Sequence, residues 1–233
     1  MSGGLFITGT DTGVGKTVVA RLIVRCLVAG GVRVAVMKPV AAGSFMTADG
    51  LRNEDALGLL ADSNVVLPYA TVNPYCLAAP VSPHLAARDT GTTIELPRIR
   101  ENFRALQGCA DCVIVEGAGG WLAPLNDREF IADLAAVLEL PVLLVVGLRL
   151  GCLNHALLTV AAIRQRRLIF AGWIANQIDP DFARVPDNLA TLERHIGMAP
   201  IATVSHAPTG LAAAQLPAGA LAAVQSAMRK QLT

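Results

Sequence analysis

Gly9-Thr10-Asp11-Thr12-Gly13-Val14-Gly15-Lys16-Thr17 follows a short apolar run and opens directly into a helical pattern. A glycine-rich turn between a strand and a helix reads as a phosphate-binding loop. Its backbone N–H groups converge on phosphate oxygens, and the helix start adds positive potential. Lys16 can reach the β and γ phosphates, and the Thr17 hydroxyl is of the type that binds Mg²⁺. The spacing departs from the common pattern: Gly9 lies one residue too far from Gly15-Lys16-Thr17, and Thr10 stands at the expected first glycine.

Outward from this loop, apolar runs of strand length alternate with helix-length segments. Strands are expected over residues 4–9, 32–40, 112–116, 141–148 and 170–176, with a weaker one over 202–206. Helices are expected over residues 15–29, 53–61, 96–108, 128–138, 154–166, 188–195 and 213–230. Several strand runs are apolar on both faces, as in Cys112-Val113-Ile114-Val115, which fits a parallel sheet covered by helices on both sides. The expected fold is therefore an α/β, doubly wound, mostly parallel sheet of the P-loop nucleoside triphosphate hydrolase type, with residues 1–233 as a single domain. Residues 41–91 break the rhythm. Their turn formers mark an elaborated connection over the carboxyl edge of the sheet, where open α/β folds put their sites.

Composition narrows the function classes. The 233 residues are 53% hydrophobic and 16% charged, so a large core can form and global disorder is excluded. The net charge of +1 gives no nucleic-acid surface. The longest apolar stretch, residues 134–148, is interrupted by Glu139 and Pro141, so no membrane span is expected. No signal peptide is visible, and the expected location is the cytoplasm. The five cysteines are odd in number and scattered, and Cys109 and Cys112 read as ordinary thiols.

Three further positions carry chemistry. Lys38 ends the second strand run, and Pro39 stops the ladder there. If that strand neighbours the first, its ammonium stands beside the phosphate loop, and two lysines suit stabilisation of transferring charge. Glu116 ends an apolar strand before Gly117-Ala118-Gly119-Gly120, where a phosphate-loop protein places a metal-binding acid. Asp55, in Asn53-Glu54-Asp55, is either a helix-capping acid or a second metal ligand. Gly151-Cys152-Leu153-Asn154 opens a helix whose free N–H groups form either an ordinary cap or a carboxylate site.

Taken in order, these segments resemble the dethiobiotin synthetase family. The resemblance rests on Thr8 through Thr17, Lys38-Pro39-Val40-Ala41, Gly50-Leu51-Arg52-Asn53-Glu54-Asp55 and Tyr69-Ala70-Thr71-Val72-Asn73-Pro74-Tyr75. It continues through Ser82-Pro83-His84, Val115 to Trp121, Leu150 to Ala156 and Ala171 to Asn176. It implies an ATP- and Mg²⁺-dependent ligase of biotin biosynthesis. That enzyme closes the ureido ring from 7,8-diaminononanoate and CO₂ or bicarbonate, through a carbamate and a carbamic–phosphoric anhydride. It also implies roles. Lys38 and Lys16 would stabilise carbamate and phosphoryl oxygens, with Thr12 beside the diamine. Gly13, Val14, Gly15, Lys16, Thr17 and Val18 would hold phosphates. Thr17, Asp55 and Glu116 would bind the metal beside the nucleotide. Asn176, followed by Gln177, would lie at the base. Ala42 would face substrate, and Gly151, Cys152, Leu153 and Asn154 would hold its distal carboxylate across the interface of a homodimer.

Departures accompany the resemblance. Gly13 stands where some members carry an acid, and Ala42 where a hydroxyl is expected, for which Ser44 is the nearest substitute. Past residue 197, Ala202-Thr203-Val204-Ser205-His206 replaces a Gly-Glu-Ile-Pro-like segment that holds the base. Two other readings share the fold. One is a partitioning ATPase working as a nucleotide-dependent dimer switch, which usually carries a lysine early in the loop. The other is a cobyrinate-type ligase, whose glutaminase domain a chain of this length leaves no room for.

Overall fold

A computed structural model describes residues 3–206 and 216–229. Its centre is a six-stranded parallel sheet in the order β10-β9-β8-β1-β7-β2. These strands are β1 (Gly3–Gly9), β2 (Val34–Met37), β7 (Cys112–Glu116), β8 (Val142–Gly147), β9 (Phe170–Asn176) and β10 (Ala202–Val204). Every residue of β2, β7 and β8 is buried, as expected of strands covered on both faces. From β1 the chain passes to the edge strand β2, returns to β7 between them, and then continues on the other side of β1 through β8, β9 and β10. The connection leaving β1 runs towards β2 and the one leaving its neighbour β8 runs towards β9, in opposite directions, and such a reversal opens the crevice that these sheets use for ligands.

Helices α1 (Lys16–Ala29), α5 (Leu96–Gln107), α6 (Ile131–Leu138), α7 (Cys152–Gln165), α8 (Val185–Ile196) and α9 (Ala218–Arg229) cover the sheet. Most boundaries fall within a few residues of expectation. Helix α6 starts later than residue 128. Asn126 Oδ1 holds the N–H groups of Arg128 and Glu129 in a turn, and the Asp133 carboxylate accepts the Phe130 N–H at the true helix start. Of the helix expected over residues 213–230, residues 213–215 and 230 lie outside the described residues. Among the described residues, no helix is long and apolar enough to cross a membrane.

Two expectations change. The run over residues 32–40 is not one strand. It leaves the main sheet after Met37, and Val40–Ala41 forms β3, paired with β6 (Tyr75–Cys76) in a separate two-stranded sheet. Pro39 lacks an N–H, and its carbonyl accepts from Tyr75 N (3.2 Å). Nor is β2 the neighbour of β1. Strand β7 lies between them, so Lys38 approaches the phosphate loop across the end of β7.

Residues 41–91 are more regular than their turn formers indicate. They hold the hairpin β4 (Phe45–Thr47) and β5 (Gly50–Arg52), then α2 (Glu54–Asp62), α3 (Tyr69–Val72), β6 and α4 (Pro83–Asp89). This excursion rises over the carboxyl edge and forms one wall of the crevice.

Candidate active site

The loop from Gly9 to Thr17 wraps the start of α1. Helix α1 has no side-chain cap, so its first N–H groups are free to face an anion. Gly15 sits at φ 86°, and a Cβ there would lie 2.0 Å from Asn176 Nδ2, so only glycine fits. Asn176, 6% exposed, donates that amide to the Val14 carbonyl (2.9 Å). It therefore braces the loop from beneath. Val14 is buried, and Val18, in the first turn of α1, is half-buried against the core.

Above the loop lies a cleft of about 1000 Å³. Thr12, Gly13, Lys16, Thr17, Lys38, Ala42, Asp55 and Glu116 all line it. At its base Glu116 is fully buried. Its Oε1 accepts from Lys38 Nζ (2.5 Å) and from the Thr17 hydroxyl (2.8 Å). Lys38 Nζ also reaches Asp55 Oδ2 (2.9 Å). Asp55 arrives in the first turn of α2, whose N-cap Asn53 accepts from the N–H groups of Asp55 and Ala56. Four side chains from four separate segments, Thr17, Lys38, Asp55 and Glu116, are thus linked by hydrogen bonds.

The electrostatics follow from this crowding. Burial, with the Lys38 ammonium adding to it, lowers Lys16 to about 8 against the pull of Glu116, Asp55 and Asp11. Burial also works against a charged Lys38. Glu116 and Asp55 outweigh it and hold that ammonium above the usual lysine range. The Asp55 carboxylate is opposed by burial too, but Lys38 outweighs this and keeps its carboxyl below the usual range.

Glu116 Oε2 is buried and has no hydrogen-bond partner among the described residues. A buried carboxylate oxygen is costly to leave unsatisfied, so this atom marks a place for a cation. Thr17, Asp55 and Glu116 offer hard oxygen donors, which suit Mg²⁺. Among the described residues no group of three His, Cys, Asp or Glu side chains could hold a metal alone. Mg²⁺ commonly takes one or two carboxylates and leaves the remainder to phosphate and water.

Some expected residues lie elsewhere. Asn176 and Gln177 do not line the cleft, and the Gln177 N–H is engaged with the Val204 carbonyl (2.9 Å). Gly151, Cys152, Leu153 and Asn154 do not line it either, although His155, Leu158 and Thr159 of the same helix do. Asn154 is exposed. Ser44 is no substitute for a hydroxyl at Ala42, because it lies off the cleft wall and its Oγ is buried.

Other residues join the site without having been assigned a role from sequence. Asp11 Oδ1 accepts the Thr12 N–H (2.7 Å), and its Oδ2 pairs with Arg149 (2.6 Å). The Asp11 carbonyl accepts from Lys16 Nζ (2.8 Å). Trp121 closes part of the wall. Arg149 immediately precedes Leu150-Gly151, but no local pattern pairs it with a residue so far away in sequence.

Relatives resolve the family. The chain is 49% identical over 210 residues to the ATP-dependent dethiobiotin synthetase BioD of Xanthomonas oryzae pv. oryzae (strain PXO99A), covering 90% of this chain and 94% of that one. The chain belongs to the dethiobiotin synthetase family. Another member, the BioD of Pseudomonas aeruginosa (strain UCBPP-PA14), is 50% identical over 194 residues, 82% of this chain and 84% of the relative. A family model described as an AAA domain matches residues 3–211. As a dethiobiotin synthetase family member, the chain is an ATP-dependent enzyme. A chain of the MinC:MinD cell division protein complex of Aquifex aeolicus shares its fold, with a TM-score of 0.56, 17% identity and coverage of 99% of this chain and 94% of that one. At that identity the likeness extends to the P-loop α/β fold and no further.

Proposed function

We propose that the chain, acting as a single domain, makes dethiobiotin from 7,8-diaminononanoate, CO₂ and ATP. One amine adds to CO₂ and loses a proton, giving a carbamate. A carbamate is a poor acylating group until its oxygen becomes part of a leaving group. Its oxygen therefore attacks the γ-phosphorus of ATP and displaces ADP, forming a carbamic–phosphoric anhydride. The second amine then attacks the carbonyl carbon, phosphate leaves, and the ring closes. The observation that carries this reading is Lys38, a buried ammonium at the rim of a phosphate loop and beside the open cleft.

In this scheme the phosphate loop and Lys16 hold and align the triphosphate. Alignment and charge neutralisation supply most of what phosphoryl transfer needs. Lys38 neutralises charge shared between the carbamate and the transferring group, and Thr12 orients the diamine. Thr17, Asp55 and Glu116 would hold Mg²⁺ beside the β and γ phosphates, where its charge offsets that of the phosphoryl oxygens. Asn176 would reach the base only beyond its bond to Val14, so it serves the loop first. The start of α7 at Gly151, Cys152, Leu153 and Asn154 does not line the chain's own cleft. A homodimer in which this turn meets the partner's substrate carboxylate accounts for that placement.

The test is a single incubation. Protein, 7,8-diaminononanoate, labelled bicarbonate and MgATP should yield a labelled ring-closed product, with one ADP per ring. ATP turnover that ignores the diamine would instead support a nucleotide-driven dimer switch.

A further inference from the structure

The stretch Tyr69-Ala70-Thr71-Val72-Asn73-Pro74-Tyr75 holds none of the groups assigned to the reaction. It forms α3 and the start of β6, behind Lys38. The Lys38 N–H donates to the Val72 carbonyl (2.9 Å), and the Lys38 carbonyl accepts from Asn73 Nδ2 (2.6 Å). Asn73 Oδ1 accepts from the Tyr69 hydroxyl (2.9 Å). That hydroxyl oxygen in turn accepts the backbone N–H of Asn53 (2.8 Å), the N-cap of α2. A continuous chain of hydrogen bonds therefore joins the backbone of Lys38 to the start of the helix that carries Asp55. The bond between Lys38 Nζ and Asp55 Oδ2 closes it into a ring.

We propose that Tyr69 and Asn73 are positioning residues that fix the Asp55 carboxylate relative to Lys38 and so set how strongly the site couples a divalent cation to nucleotide. The proposal rests on the reading of Asp55 as a metal-binding acid. Asn73 is 2% exposed and Asn53 7%, and buried amides of this kind are held only where their partners are in place. An N-cap ordinarily needs only its own side chain, which Asn53 already supplies. The added clamp from Tyr69 fixes where the helix starts, and with it the first-turn acid. Burial, with Cys76 Sγ 3.5 Å away, raises the Tyr69 phenol above its usual range, so it remains a proton donor to Asn73.

Tyr75 provides an internal control. Its hydroxyl also accepts a backbone N–H at a helix start, that of Glu95 (2.9 Å) before α5. No residue of α5 lines the cleft. Tyr69→Phe and Tyr75→Phe each remove one hydroxyl that accepts a helix-start N–H; Tyr69→Phe also removes the bond to Asn73, and only Tyr69 lies on the path to Asp55.

The experiment measures the affinity of the full chain for the β,γ-imido analogue of ATP, with excess EDTA and with saturating Mg²⁺. The ratio of the two affinities is the contribution of the metal. Tyr69→Phe should lower that ratio about fivefold while leaving the EDTA affinity unchanged, because a lost buried hydrogen bond is worth a factor of this order. Tyr75→Phe should lose some thermal stability, for its bond to the Glu95 N–H, and keep the wild-type ratio. Equal ratios for the two variants and the wild type, with a wild-type ratio well above one, overturn the positioning role. A wild-type ratio of one overturns the metal reading beneath it, which is a separate failure.

Discussion

Lys38 Nζ and Glu116 Oε1 lie 2.5 Å apart at the carboxyl ends of neighbouring strands, with the Thr17 hydroxyl on the same oxygen. One carboxylate oxygen therefore gathers an ammonium from beyond β2 and a hydroxyl from the first turn of α1. If a cation comes to Glu116 with the nucleotide, Lys38 is released to face the phosphate.

Lys38→Ala should lower turnover by about 10²–10³-fold, the loss seen when a donor to developing charge is removed. Nucleotide affinity should change little, because the loop and Lys16 remain. The variant should also melt earlier without ligand, since it leaves Glu116 buried without its ammonium. Steady-state kinetics and a thermal melt check both halves. Near-normal turnover would remove Lys38 from the chemistry.

Nucleotide binding should take up a proton above pH 8. Free Lys16 has its pKa lowered to about 8, and a bound triphosphate draws it back up. The bound state then holds more protons than the free state. Affinity should consequently be flat below pH 8 and fall as pH rises through it. Calorimetry at pH 8.5 in buffers of different ionisation enthalpy reads the uptake directly. No dependence on the buffer would contradict it.

Gly13 and Gly15 should respond differently to alanine. Gly13 has φ 73° but open space around a Cβ, so Gly13→Ala should cost about 1 kcal/mol from the backbone alone. At Gly15 the new methyl would collide with Asn176, and Gly15→Ala should cost roughly 2–4 kcal/mol and abolish nucleotide binding. Denaturant melts and nucleotide titration of the pair distinguish the two.

Asn154→Ala should raise KM for the diamine about tenfold, the order expected for one lost hydrogen bond to a charged group. KM for ATP should hold steady. If the diamine KM is unchanged, the α7 start does not hold substrate.

The phosphate loop and the buried strands were legible because their signals are local. Glycines, a lysine and a hydroxyl sit within one turn, and β7 and β8 are unbroken apolar runs. The neighbour of β1 was not legible. Strand order is set by which sheet edge a later strand joins, and β7 enters between β1 and β2 long after both. Much of residues 41–91 looked irregular because β3, β4, β5, α3 and β6, of two to four residues each, carry no period. Asp55 could be read as cap or ligand from its spacing, and the structure makes it both cap-proximal and adjacent to Lys38. Tyr69, Asn73, Asp11 and Arg149 act through contacts between distant segments, which no local pattern encodes.

The most direct test is the position of Lys38 Nζ in a crystal of the enzyme with Mg²⁺, the β,γ-imido ATP analogue and diaminononanoate under CO₂. The expected result is an ammonium moved off Glu116 to about 3 Å from a γ-phosphate or carbamate oxygen. An ammonium still paired with Asp55 and Glu116, and turned away from the γ-phosphate, would contradict the assigned chemistry.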